Sequence, residues 1–84
     1  MPEVRSPIQH HLVLHRIDPE QGIRRFYSLM IERDLFGTIR LVRNWGFVGS
    51  NGQEKVDIYP DEAAAARALG GWAETQRQKG YTDL

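Results

Sequence analysis

The hydrophobic period of the chain changes once, at Pro60, and this change divides the sequence into two kinds of structure. Before Pro60, apolar and polar residues alternate in short runs, which is the period of β-strands. After it, apolar residues recur every three or four positions over residues 62–79, which is the period of an amphipathic helix. The chain has 84 residues, so one sheet and one helix account for a single small domain.

Turn-forming residues divide the first part of the chain into strands. Turns at residues 18–22, 34–37 and 49–52 separate four predicted strands, at residues 10–17, 23–33, 37–48 and 53–59. Asn51-Gly52 is a strong hairpin signal because both residue types tolerate a positive φ. Apolar residues on both faces of the second strand predict a central strand that is covered, at least in part, on both sides. Because the turns are short, we expect an antiparallel meander.

The helix has sequence signals at both ends. Asp61 is a predicted N-cap, and Gly80 is predicted to end the helix after Lys79. Gly70-Gly71 in its middle costs about 1 kcal/mol per glycine relative to alanine. A close approach of the helix to the sheet is the expected compensation for these glycines. The short tail after the helix is expected to dock Tyr81 onto the core.

These elements define the predicted fold class. It is α+β, a twisted four-stranded antiparallel meander sheet with one C-terminal helix packed on it, in the order β-β-β-β-α. Residues 1–9 are expected to form a flexible N-terminal tail, and residues 10–84 the single domain. Leu69 and Trp72 share one helix face and are predicted to pack on sheet residues such as Leu29, Ile31, Ile39 and Leu41.

Composition excludes several functional classes. The chain has no cysteine, which excludes disulfide scaffolds, thiolate metal sites and cysteine nucleophiles. No apolar run approaches the ~18–20 residues that span a membrane, and the N-terminus lacks the apolar segment of a secretory signal. We therefore expect a cytoplasmic protein without a membrane partner. The 11 basic residues balance 11 acidic ones, which argues against bulk coating of nucleic acid.

Residue types that carry catalysis or bind metal are scarce. His11 and His15 share a strand face but lie about 13 Å apart at ~3.3 Å per residue, which is too far to hold one metal ion. The sequence has two pairs of neighbouring acidic residues, one beside a turn and one at the start of the helix. Local structure explains both pairs without a catalytic role. The sequence contains no nucleophile motif, phosphate-cradling loop or dinucleotide fingerprint. It therefore predicts no enzymatic activity, no metal and no cofactor.

The unusual feature is the segment Arg43-Asn44-Trp45-Gly46-Phe47. Tryptophan beside glycine leaves one face of the indole uncovered. The segment from position 24 to position 43 contains five arginines and only two acidic residues. An indole near cations can stack on a base or sugar while the cations hold phosphate. Two other interpretations remain open. Trp45 and Phe47 can cover a core face, or they can form an exposed aromatic patch for a protein partner.

The sequence around this segment resembles the WGR domain. The resemblance covers residues 10–82 and includes Phe26-Tyr27, the alanine-rich helix and Lys79-Gly80-Tyr81. Its most specific part is the pattern Trp-Gly-x-x-Gly-x-x-Gly-Gln, which ends at Gln53. The WGR domain occurs in DNA-damage-activated poly(ADP-ribose) polymerases and as small stand-alone bacterial proteins. The resemblance implies a twisted antiparallel sheet with one packed helix, acting as a DNA-end and interdomain module without an active site.

The resemblance also implies roles for individual residues. Trp45 matches the family tryptophan that packs on a sugar at a DNA terminus, with the Gly46 backbone close by. Arg43 and Asn44 match the position before the Trp-Gly-Arg triplet, and Lys79 matches a basic residue before the terminal Gly-Tyr. The third letter of the triplet is Phe47 here, where the family arginine bridges DNA to a regulatory helical domain. Phe47 can stack, but it cannot neutralise phosphate.

The sequence therefore predicts a small non-enzymatic nucleic-acid-binding module, for DNA ends or single strands, that is monomeric. Trp45 is expected to be at least partly exposed, with Arg43 and Arg40 within reach of a phosphate. The predicted binding residues are Trp45, Gly46, Arg43, Asn44, Phe47, Arg40 and Lys79. The alternative is a protein–protein interaction module that uses a Trp45/Phe47 aromatic patch.

Overall fold

The computed structural model describes residues 8–84 of the chain, which form an antiparallel sheet with one helix. The strands are β1 (Ile8–Asp18), β2 (Ile23–Arg33), β3 (Ile39–Phe47), β4 (Gln53–Tyr59) and β5 (Thr82–Asp83), and the helix is α1 (Glu62–Gln78). Their order in the sheet is β4-β3-β2-β1-β5, so the first four strands form the predicted meander. The α+β class is confirmed. The tail predicted for residues 1–9 falls mainly on residues 1–7, which lie outside the described residues, and β1 begins at Ile8.

The sheet has five strands, so the prediction of four strands is wrong. The fifth, Thr82–Asp83, pairs antiparallel with Leu14 and His15 of β1, and its neighbour Leu84 donates a backbone hydrogen bond of 2.9 Å to the carbonyl of Val13. A strand of two residues has no hydrophobic period from which it could be predicted. Its position depends on where α1 ends, because the residues after the helix pair with β1 only if the helix ends beside it.

The end of α1 returns the chain to β1. The backbone N–H of Gly80 donates to the Arg77 carbonyl at 3.0 Å, and Gly80 adopts a φ of 98°, which favours glycine. Tyr81 packs against the core, as predicted. Arg77 then donates two hydrogen bonds of 2.9 Å to the Asp83 carboxylate. These bonds lower the pKa of Asp83 because they stabilise its charged form, and they anchor β5 to the helix.

The core lies between α1 and one face of the sheet. Its buried residues come from β1, β2, β3 and α1, and they are Leu14, Tyr27, Leu29, Ile31, Ile39, Leu41, Ala65 and Ala73. Leu69 and Trp72 pack against this cluster, which confirms the predicted core face of the helix. Alternate residues of β2 point to the opposite face, where Phe26, Ser28 and Met30 are only partly buried. We call this second face the open face of the sheet.

The start of α1 follows the prediction, but its glycines do not. The Asp61 carboxylate accepts a hydrogen bond of 2.7 Å from the backbone N–H of Ala64, which confirms the N-cap. Gly70 and Gly71 are both exposed, and a Cβ atom added to either would meet no heavy atom within 4 Å. The expectation that they allow a close approach to the sheet is wrong, because they lie on the solvent side of α1.

Replacing these glycines is therefore expected to stabilise the protein. Gly70→Ala and Gly71→Ala should each raise the free energy of unfolding by about 0.5–1 kcal/mol, since alanine loses less backbone entropy in a helix interior. Urea denaturation followed by far-UV circular dichroism measures this change. A loss of stability in either variant would contradict the open environment of the two glycines.

Candidate nucleic-acid interface

Trp45 lies on the helix side of β3, near the end of the strand. Its ring stacks on Tyr27 of β2 with centroids 5.8 Å apart and planes inclined by 16°. Tyr81 meets the same Tyr27 ring edge-on at 6.2 Å. The indole packs against the core and remains partly buried rather than fully so. Trp45 therefore covers part of the core, and it also confirms the prediction of at least partial exposure.

Arg43 is inside the protein. Its guanidinium carbon lies 3.9 Å from the centroid of the Trp72 ring in α1 and 5.7 Å from that of Trp45. The residue is 6% exposed, and it donates hydrogen bonds of 3.4 Å to the Tyr27 hydroxyl and the Asp57 carboxylate. Because its guanidinium contacts these partners, Arg43 packs beside the Trp45 ring on the helix side of the sheet. It does not present a cation at the surface.

The loop between β3 and β4 depends on two glycines. A Cβ atom at Gly46 would lie 2.7 Å from the Cα of Gly52. A Cβ at Gly52, whose φ is 69°, would collide with the carbonyl oxygen of Trp45. Asn44 donates a hydrogen bond of 2.9 Å from its amide to the carbonyl of Gln53 and so ties β3 to the far end of the loop. Gly46 and Asn44 thus shape the loop that follows Trp45.

Phe47 lies at the end of β3 and is 60% exposed. Arg25 of β2 is its partner in the strand register, and the Arg25 guanidinium carbon lies 5.0 Å from the centroid of the Phe47 ring. Arg16 of β1 is in turn the register partner of Arg25. A Cβ atom added to Gly80 would lie 3.4 Å from Nε of Arg16, so the backbone at the end of α1 lies beside Arg16. Lys79, the residue before Gly80, is exposed.

These residues form one surface at the end of the sheet. We call it the aromatic–basic surface and define it as Trp45, Phe47, Arg16, Arg25 and Lys79. Among the side chains that the structure describes, none of its three cationic residues takes part in an ion pair. The neighbouring acidic residues of the β1–β2 turn are Asp18 and Glu20. Arg25 and Lys79 are exposed to solvent, whereas Arg16 is partly buried.

The structure does not bring all seven predicted residues together. Trp45, Phe47 and Lys79 belong to the aromatic–basic surface, whereas Arg43, Asn44 and Gly46 make contacts within the protein. Arg40 lies between the buried residues of β3 and therefore points to the open face, where it forms an ion pair of 2.8 Å with Glu32. Arg40 and Trp45 lie on opposite faces of the sheet, so they cannot contact the same part of a ligand.

Sequence reasoning did not assign Arg16 and Arg25 to the site. Each lies two residues from a helix-side core residue of its strand, Leu14 and Tyr27 respectively. Strand alternation therefore places both arginines on the helix side, just beyond the core. That alternation, combined with the register of β1, β2 and β3, was the signal that could have identified them.

The part of the chain that the structure describes has no cluster of metal ligands and no helix that could cross a membrane. No three His, Asp or Glu side chains in this part of the chain are grouped as ligands of a metal ion would be. Within the same residues, α1 lacks the length and apolarity of a helix that could cross a membrane.

The close contact at Gly52 allows us to predict how a substitution there changes the stability of the protein. Gly52→Ala should lower the free energy of unfolding by about 2 kcal/mol or more, because it adds a steric clash to the cost of a left-handed backbone. Gly22→Ala is the matched control, since Gly22 has a φ of 67° and nothing within 4 Å of an added Cβ. The control should cost only about 1 kcal/mol. Equal losses in urea denaturation would show that the contact with Trp45 is unimportant.

Comparison with known proteins identifies the family of the chain. The WGR domain matches residues 10–84. The chain is also similar to the uncharacterized protein y4dW of Sinorhizobium fredii (strain NBRC 101917 / NGR234), with 36% identity over 72 residues. The matched region is 86% of this chain and 35% of that relative, so the chain spans about a third of the relative's length. No solved structure matches this chain. With the family match extending over the sheet and the helix, the chain belongs to the WGR domain family.

Proposed function

We propose that the protein is a non-enzymatic module that binds DNA ends or single strands through the aromatic–basic surface. The WGR domain is a nucleic-acid-binding module in poly(ADP-ribose) polymerases, and it is a binding domain rather than a catalytic one. The observation that carries the proposal is the exposed Phe47 ring with the Arg25 guanidinium held against it. Trp45 lies two residues before Phe47 on the same side of β3.

Stacking and charge act together on this surface. The exposed Phe47 ring offers a face on which a base or sugar can stack, a contact that contributes roughly 1–3 kcal/mol per base. Because the Arg25 guanidinium carbon lies 5.0 Å from the ring centroid, a phosphate beside the stacked group is within its reach. Arg16 and Lys79 extend the cationic surface towards the end of α1.

The form of the ligand follows from the stacking requirement. Bases within a duplex already stack on each other, whereas a terminal or unpaired base can stack on a protein ring. The surface has three cations on a chain of zero net charge, so binding should be weak and strongly dependent on salt. We expect micromolar affinity or weaker for nicked or single-stranded ends.

The other predicted residues have supporting roles in this proposal. Arg43 holds the Trp45 ring through its position against Trp72, and Asn44 and Gly46 set the course of the loop after it. Arg40, on the open face, takes no part in it. A Trp45→Ala variant is a poor test of binding, because the indole also packs against the core.

Arg25→Ala should weaken DNA binding by about three- to tenfold and make the salt slope shallower by about one unit, because one phosphate contact is lost. Fluorescence anisotropy of labelled single-stranded and nicked oligonucleotides over a series of salt concentrations measures both effects. Arg67→Ala is the matched control, since Arg67 is exposed on α1 and belongs to none of the described ion pairs. Equal weakening by both variants would indicate a general charge effect and contradict the assigned surface.

Phe47 provides a second test, and its exposure allows it to be replaced without disturbing the core. Phe47→Ala should weaken binding about tenfold through loss of stacking. Phe47→Arg should tighten binding and steepen the salt slope, because it adds a cation at the third position of the family triplet. Unchanged binding by Phe47→Ala would exclude stacking at this ring. No binding by the unaltered protein at ~100 μM DNA and low salt would overturn the nucleic-acid proposal and favour the protein-partner alternative.

A further inference from the structure

β4 forms one free edge of the sheet. Its seven residues pair with β3 without a register shift, from Gln53 opposite Trp45 to Tyr59 opposite Ile39. At the opposite edge, β5 covers only Leu14 and His15 of β1, and β1 has a register shift between Ile8 and His10. Within residues 8–84, no strand pairs with the outer side of β4. Its outward backbone N–H and C=O groups can therefore serve as a template for another strand.

The side chains of β4 leave this edge accessible. Ile58 is 71% exposed and Val56 is 38% exposed, both on the open face. Edge strands are commonly protected by a bulge or by a proline. β4 contains neither, and Pro60 follows only after the strand has ended. β4 has three charged residues, Glu54, Lys55 and Asp57, and whether they favour or oppose pairing depends on the side chains opposite them.

We propose that β4 pairs with β4 of a second copy of this chain, antiparallel and centred on Val56. Val56 is the middle residue of the strand, so all seven residues find a partner. This register places Lys55 of each copy directly opposite Asp57 of the other, which gives two pairs of opposite charges across the interface. It also places the exposed Val56 side chains opposite each other on the open face.

Other symmetric registers are unfavourable. Residues that pair across an antiparallel edge must lie on the same face, so the two-fold axis passes midway between the two copies of one residue. An axis at Glu54, Lys55 or Asp57 sets that charged residue against its own copy, and like charges in this position are destabilising. An axis at Ile58 brings Val56 opposite Pro60, so few residues of β4 pair. Val56 is the centre that pairs the whole strand without opposing like charges.

The contacts within each copy are compatible with this pairing. Asp57 lies 3.4 Å from Arg43, yet its side chain is 36% exposed and so has room for a second cation. A two-fold axis perpendicular to the sheet keeps both helices on one face and leaves both open faces on the other. The aromatic–basic surfaces do not take part in the pairing, so the proposal is independent of DNA binding. A single pair of strands buries less than a standard interface, which makes the dimer weak.

Sedimentation velocity of the intact chain tests the association. Over roughly 10 μM to 1 mM, the weight-average mass should rise from 9.7 kDa towards twice that value, with half-association at roughly 0.1–1 mM. A mass that stays at 9.7 kDa throughout this range would overturn the proposal. The sequence alone predicted a monomer, and this measurement distinguishes the two expectations.

A charge reversal tests the register. Lys55→Asp sets two carboxylates opposite each other on both sides of the central Val56 pair, and the dissociation constant should rise about tenfold or more. Arg67→Asp makes the same change of net charge on α1 and should leave the constant unchanged. Equal effects of the two variants would overturn the register.

Amide chemical shifts on dilution locate the interface independently. Changes concentrated in residues 53–59 would support the edge pairing. Changes confined to open-face residues such as Val13, Phe26 and Met30 would overturn it, since they would indicate that the two copies meet face to face.

Discussion

The packing of α1 on one face of the sheet is the interaction on which the other features depend. The helix begins beside the end of β4, crosses the sheet and ends near β1, so its apolar stripe covers Leu29, Ile31 and Leu41 almost completely. Residues 8–84 contain one cluster of buried hydrophobic residues, and a chain of this size has room for little more. The same crossing delivers the chain to β1, where β5 forms, and it brings Lys79 to the surface that contains Arg16 and Arg25.

The helix also explains why Arg43 is buried. Trp72 projects from α1 onto the guanidinium at 3.9 Å, and Trp45 lies on the same guanidinium at 5.7 Å. Burying a cation is costly unless aromatic faces, hydrogen bonds or an opposite charge compensate it. Here all three are present, since Tyr27 and Asp57 accept its hydrogen bonds. An arginine that the sequence placed among the phosphate ligands thus becomes a structural link between the helix and Trp45.

The neutral net charge of the protein conceals an uneven surface. Ion pairs engage Arg33, Arg40, Arg43 and Arg77, whereas the cations at the end of β1, β2 and α1 remain outside the described ion pairs. What matters for a phosphate is this local arrangement, because interactions between exposed charges are screened within about 10 Å at ordinary salt. The aromatic–basic surface lies on the helix side of the sheet and meets β4 only where Trp45 pairs with Gln53, so a binding function and self-association can be tested separately.

The sequence by itself determined the four longer strands, the helix and most of the core, because alternation, the 3.6-residue period and the capping signal of Asp61 are local properties. It also identified Trp45 and Phe47 as the aromatic residues of the candidate site. Tertiary structure decided the fifth strand, the burial of Arg43 and the grouping of Arg16 and Arg25 with Phe47. These features join residues that are distant in the chain. Only strand register and helix packing bring such residues together, and neither can be read from a local sequence pattern.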